Sequence, residues 1–133
     1  MALSHILYRS LGRLDEITRD CDDILVAARA RNLEHSLTGF LHGEDGIFIQ
    51  WLEGPVEALD YVAELILNDD RHRDITVFAR GVIDERQFPQ WAMGFSSGES
   101  APLFDYLAEQ DINSHDQRAY ADGLHRFLLQ RAA

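Results

Sequence analysis

The chain has 133 residues, 46% of them apolar and 26% charged, which suits one domain with a modest appendage and a core that needs no covalent staples. A single cysteine, Cys21, excludes an internal disulfide framework, and with no signal-peptide pattern the expected setting is a reducing cytoplasm. A net charge of -11, from 23 acids against 12 lysines and arginines, repels phosphate backbones and argues against nucleic acid as a partner; no apolar run is long enough to span a bilayer.

Residues 3–10, LSHILYRS, alternate as a first strand does, with Ile6, Tyr8 and Ser10 on one face and His5, Leu7 and Arg9 on the other. Gly12 marks a turn. From Leu14 to Arg31 the residues Leu14, Ile17, Cys21, Ile24, Leu25 and Ala28 recur at helical spacing, and Asn32 stands where that helix is expected to stop. Residues 36–43, SLTGFLHG, read as a second strand. The acidic turn at 43–46 then leads into a third, GIFIQWLEG at 46–54, in the pattern of a β-hairpin. Gly54-Pro55 signals a second helix, because proline fits the first helical turn. Val56, Leu59, Val62, Ala63, Ile66 and Leu67 trace its apolar stripe, and Asn68-Asp69-Asp70 close it.

Asp74 to Ile83 reads as a fourth strand, Phe88-Pro89 as a connector and Trp91 to Ser97 as a fifth strand. The small, polar run SSGES at 96–100 is the best boundary in the chain, dividing a domain at 1–97 from a helical extension at 98–133. Two helical segments are expected there, near 101–109 and 115–131, the second with an apolar stripe of Leu124, Phe127 and Leu128. The order βαββαββ, then two helices, predicts an α+β ferredoxin-like core with one extra strand. Both crossover helices then lie on one face of the sheet, and the C-terminal helices are expected to cover the other.

A few residues are unusual for a plain core. Phe48, Gln50 and Leu52 share one side of the third strand, and if that side packs under the helices Gln50 is a buried amide in need of partners. Tyr8, on the first strand, is a phenol able to reach it. Trp91 and Met93 share one face of the fifth strand near the same region. Singly, each has a bland reading: a strand tyrosine for packing, a solvated glutamine, Asn32 as a helix C-cap, Trp91 and Met93 as core, Asp69, Arg71 and His72 as a surface turn. Together they outline a groove between the two crossover helices. Ile24 and Ile66 flank it, Asn32 and Gln50 offer amides at one edge, and Arg71 and His72 offer donors near another. A flat, mostly apolar ring edged with carbonyl and N–H groups fits that set.

The runs LYRS around Tyr8, ARARN before and including Asn32, LTG at 37–39, FIQWLEGP at 48–55, DDRH at 69–72 and FPQWAMGF at 88–95 resemble BLUF domains, blue-light sensors that use FAD. The resemblance covers roughly residues 3–97, about three-quarters of the chain. It implies that Tyr8 is the photoactive tyrosine and that Gln50 bridges it to the flavin. It implies further that Asn32 holds the flavin C4 carbonyl and N3–H, that Asp69 contacts the ribityl chain and that Arg71 and His72 lie near the pyrimidine edge. Ile24 and Ile66 then sandwich the ring, and Trp91 and Met93 carry the signal through the last strand. Departures are Ala28, where many members have a hydroxyl; Leu65 and Asn68, where basic residues often help with phosphates; and His42, which replaces a common tyrosine. They bear on how the phosphate end is held, and so on FAD against FMN.

With no recognised output domain after residue 97, the expected signal leaves through a homo-oligomer interface or a downstream protein partner, and the chain is expected not to be an enzyme. The rivals are a flavin reductase or an acylphosphatase-like hydrolase on a similar fold, and a light-insensitive adaptor. The sequence has neither a GxGxxG nor a Gly-rich anion cradle, and it keeps Tyr8 and Gln50.

Overall fold

The computed structural model describes residues 2–11, 17–44, 47–68, 73–90, 92–98, 103, 106–107 and 117–132. Along the chain these form β1 (Leu3–Leu11), α1 (Ile17–His35), β2 (Thr38–Glu44), β3 (Ile47–Pro55), α2 (Val56–Leu67), β4 (Arg73–Ile83), β5 (Gly94–Gly98) and α3 (Gln117–Ala132). Helical backbone also occurs at Leu103, Tyr106 and Leu107. The strands make one sheet in the order β4-β1-β3-β2-β5. The first four pair antiparallel and β5 lies parallel to β2. This is the expected ferredoxin-like core with one strand added at the β2 edge.

Alternation along the strands decides which core each side chain joins. Ile6 and Tyr8 of β1, with Phe48 and Leu52 of β3, meet Leu25 and Ala28 of α1 and Leu59, Val62, Ala63 and Ile66 of α2. Their strand neighbours Leu7, Ile49 and Trp51 point the other way, into a cluster with Phe40, Phe88, Leu103, Leu107 and α3 residues Ala121, Leu124, Phe127 and Leu128. The C-terminal helical residues thus cover the second face, as the bare sheet requires.

The element ends depart from the sequence expectation in instructive ways. Helix α1 does not stop at Asn32 but continues one turn to His35. Its terminator is Ser36, which takes a left-handed φ of 59°. The Leu37 N–H then bonds the Asn32 carbonyl at 2.8 Å, the six-to-one closure of a Schellman turn. Pro55 precedes α2 at its N-cap position instead of occupying its first turn. Leu67 leaves the apolar stripe and is exposed. Asn68 does close α2, its side-chain amide donating to the Glu64 carbonyl at 2.8 Å.

Strand β5 begins only at Gly94, so Met93 sits in a bend before it and not on its face. The strand then runs to Gly98, so the start of the small polar SSGES run is strand and not loop. Small residues suit an edge strand that pairs on one side only, and β5 pairs with β2 alone. In the LTG run, a Cβ on Gly39 would collide with the Trp51 carbonyl oxygen across the β2–β3 pair, which explains the glycine. No helix among the described residues is long and apolar enough to cross a membrane.

Candidate functional site

Tyr8 and Gln50 are direct register partners on β1 and β3. Both are buried, at 1% and 5% exposure, on the face covered by α1 and α2. The tyrosine O–H donates to Gln50 Oε1. The other end of the amide, Nε2, reaches the Met93 sulfur at 3.6 Å. Thus one glutamine directs its acceptor to a phenol and one of its two N–H groups to a thioether.

Helix α1 supplies the next layer. Asn32 is fully buried, and its Nδ2 donates to the Ala92 carbonyl at 2.5 Å. Its Oδ1 is buried with no hydrogen-bond partner among the described residues. Leaving such an acceptor empty costs about 1–3 kcal/mol. The flavin expected from the sequence fits that vacancy in kind, because the N3–H of its pyrimidine edge is a donor. One turn earlier, Arg29 Nε donates to the Met93 carbonyl at 3.0 Å. Two α1 side chains therefore hold the short segment 92–93 that leads into β5.

Of the predicted site residues, the structure brings Tyr8, Gln50, Asn32 and Met93 together, with Ile66 buried on α2 in the same cluster. Ile24 lies within α1, but its side chain is outside the described residues, as are Asp69, Arg71, His72 and Trp91. Ala28 is buried in this cluster without a hydroxyl to offer. His42 points to the opposite side, meeting the Phe127 ring edge-on at 4.8 Å, so that departure does not touch the site. No metal-binding cluster of His, Cys, Asp or Glu occurs among the described residues.

Sequence reasoning missed Arg29 and two features of the opposite face. The first is Glu53, which is fully buried. Its Oε1 accepts from Trp51 Nε1 at 2.9 Å and the Gln87 N–H at 2.7 Å. Its Oε2 accepts from Thr38 Oγ1 and the Phe88 N–H, both at 2.8 Å. Arg86 adds a donor to Thr38 Oγ1 at 2.9 Å and another to the Ser36 carbonyl at 2.8 Å. The connector between β4 and β5 is thereby fastened to β2 and β3. Between Phe88 and Met93 the chain passes from one core to the other. An acid inside the run FIQWLEGP was the available signal.

The second feature is a three-ring stack. His5 of β1 lies on Trp51 with centroids 4.4 Å apart and planes within 18°, and His125 of α3 stacks at 4.2 Å and 13°. His5 Nδ1 also bonds the Gly81 carbonyl at 2.8 Å. Burial, above all, holds both imidazoles below the ordinary histidine value of 6.5. His5 lowers His125 further. Glu53 raises both, the Gly81 carbonyl raises His5 and Asp122 raises His125, but burial prevails. A depressed folded pKa means that the folded protein favours the neutral ring. The stabilisation is complete above about pH 6.5 and is lost as pH falls through the lowered values. The melting temperature should therefore fall as pH drops from 7 towards 5. His125→Phe keeps the stack but removes one titration, so it should flatten that profile in a pH series of thermal melts.

Comparison with known proteins shows which family the chain is similar to. The family BLUF, "Sensors of blue-light using FAD", matches residues 3–94. Over 113 residues the chain is 32% identical to photoactivated adenylate cyclase subunit beta of Euglena gracilis, covering 84% of this chain and 12% of that protein. It is 31% identical over 91 residues to the blue light- and temperature-regulated antirepressor BluF of Escherichia coli strain K12, covering 68% of this chain and 23% of that protein. The chain thus spans less than a quarter of the length of these curated relatives. The solved dark-state structure of BlrB, a BLUF protein, is 34% identical with a TM-score of 0.80, covering 98% of this chain and 97% of that one. The photo-activated structure of BlsA is 28% identical with a TM-score of 0.79, covering 96% and 94%.

Proposed function

The chain belongs to the BLUF family of flavin-binding blue-light sensors, and from that premise we propose that Tyr8 and Gln50 are its photoactive pair. The observation that carries this reading is the buried phenol-to-amide hydrogen bond, continued to Met93 and lying on the same face as an Asn32 oxygen that awaits a donor. Asn32 binds the polar edge of the flavin, Ile24 and Ile66 grip its ring, and Asp69, Arg71 and His72 hold the remaining polar groups. FAD is the expected form, with FMN the alternative.

When bound, the flavin supplies a chromophore that becomes a strong one-electron oxidant under blue light. Tyr8 is placed to give the electron. Loss of an electron acidifies the phenol, and its proton leaves along the bond already made to Gln50. Gln50 both accepts and donates, so it relays the proton onward. Return of the electron and proton restores the phenol and leaves the amide rotated or tautomerised. The lost or weakened contact between Gln50 and Met93 then disturbs the segment leading into β5. From there, with Trp91, the change passes to the C-terminal helices and to a protein partner or a second copy in the cytoplasm.

The test is the spectrum of the purified, flavin-loaded protein. Blue light should produce a red shift that reverses in the dark without substrate. Tyr8→Phe and Gln50→Leu should keep the flavin and lose the shift completely. A photocycle like that of the wild type in either variant assigns the donor or the relay to another residue.

A further inference from the structure

The carbonyls of Ala92 and Met93 precede the first rung of β5, where Gly94 lies opposite Phe40, so the β2–β5 ladder does not begin until after them. Their partners come from α1: Asn32 Nδ2 for Ala92 and Arg29 Nε for Met93. Positions 29 and 32 are three apart and so share one helix face. The two residues differ in duty. Asn32 keeps its Oδ1 for the ligand, so any change to it alters flavin binding. Arg29 is an exposed residue whose Nε–H is spent on the Met93 carbonyl.

The residue so held is the one that reads the glutamine. The Met93 sulfur is a weak acceptor with no proton to give. It favours the amide orientation that presents Nε2 to it, as observed at 3.6 Å. Half a turn of the amide would bring Oε1 against the sulfur, lone pair against lone pair. A fixed Met93 therefore discriminates between the two orientations, and a loosened one discriminates less.

We propose that Arg29 is a positioning residue of the photocycle: by holding the Met93 carbonyl it keeps the sulfur against the Gln50 amide and shortens the lifetime of the lit form. This rests on the reading of Tyr8 and Gln50 as the photoactive pair. It concerns the residue's effect on a rate, with no contact between Arg29 and the flavin required.

The test is the dark-recovery rate of flavin-loaded wild type, Arg29→Leu, Met93→Leu and the double variant, followed by absorbance after a blue-light pulse. Flavin content in Arg29→Leu should match wild type, because Arg29 is exposed and its Nε–H is spent on the Met93 carbonyl, while the melting temperature should fall slightly with the loss of that bond. Its recovery should slow about three- to tenfold, the effect of losing one charge-assisted hydrogen bond. In the Met93→Leu background the same change should have almost no further effect, because the sulfur it positions is gone. Recovery of Arg29→Leu at the wild-type rate overturns the proposal. So does an equal slowing with and without Met93, since Arg29 would then act by another route. A wild type that forms no photoproduct overturns the photoactive pair itself, and the proposal with it.

Discussion

Glu53→Ala should be the most damaging single truncation in the protein, at about 4 kcal/mol or more. The carboxylate is at 0% exposure and receives four donors, two of them backbone N–H groups of the β4–β5 connector. Alanine removes every acceptor at once and leaves donors buried beside Trp51 and Phe88, where each orphan costs about 1–3 kcal/mol. Glu53→Gln keeps the shape but turns one acceptor into a donor that faces other donors, so it should lie between alanine and wild type. Urea melts give the ranking. Amide exchange supplies the local check, since the Gln87 and Phe88 N–H groups should lose protection before the sheet does. A loss below about 1 kcal/mol for alanine would mean that these donors find replacement partners.

Leu124→Lys should cost about 3–5 kcal/mol. Leu124 is at 0% exposure on α3, in the cluster that joins the helix to Leu7, Ile49 and Trp51 of the sheet. A lysine there either buries an uncompensated ammonium or drives the helix off the sheet, and both routes are expensive. Arg126, two residues on and exposed, is the control: Arg126→Ala should change stability by no more than about 0.5 kcal/mol. If Leu124→Lys melts like wild type, α3 contributes nothing to the stability of the fold.

Much of this was legible in the sequence because strand alternation is a local property. The pattern of LSHILYRS already separated Tyr8 from Leu7, and that of FIQWLEGP separated Gln50 from Trp51. The βαββαββ order followed from periodicity and the hairpin turn. What failed were ends and distant partners. Asn32 has the residue type of a C-cap, yet its side chain is needed in the core, and a serine took the left-handed position instead. Met93 looked like strand because apolar residues flank it, but its carbonyl bonds Arg29 and the sheet pairing starts one residue later. Glu53 stood in plain view inside an apolar run, without anything to show that three of its four donors lie 15, 34 and 35 residues away. The His5–Trp51–His125 stack unites three distant parts of the chain, which no local pattern anticipates.

The position of β5 has a consequence for the order in which the molecule assembles. In the β2–β3 ladder the last paired residues, Glu44 and Ile47, are only three apart in the chain. The β5 edge, by contrast, is secured by contacts such as Asn32 to Ala92 and Arg29 to Met93, separated by 60 and 64 residues. Closing so long a loop has a larger entropic cost, and its contacts form after the local ones. Strand β5, with five residues and one neighbour, should dock last during folding and detach first during native fluctuations. A strand that leaves without melting the hairpin gives the sheet a low-energy partial opening, located on the side of the molecule where α1 grips residues 92 and 93.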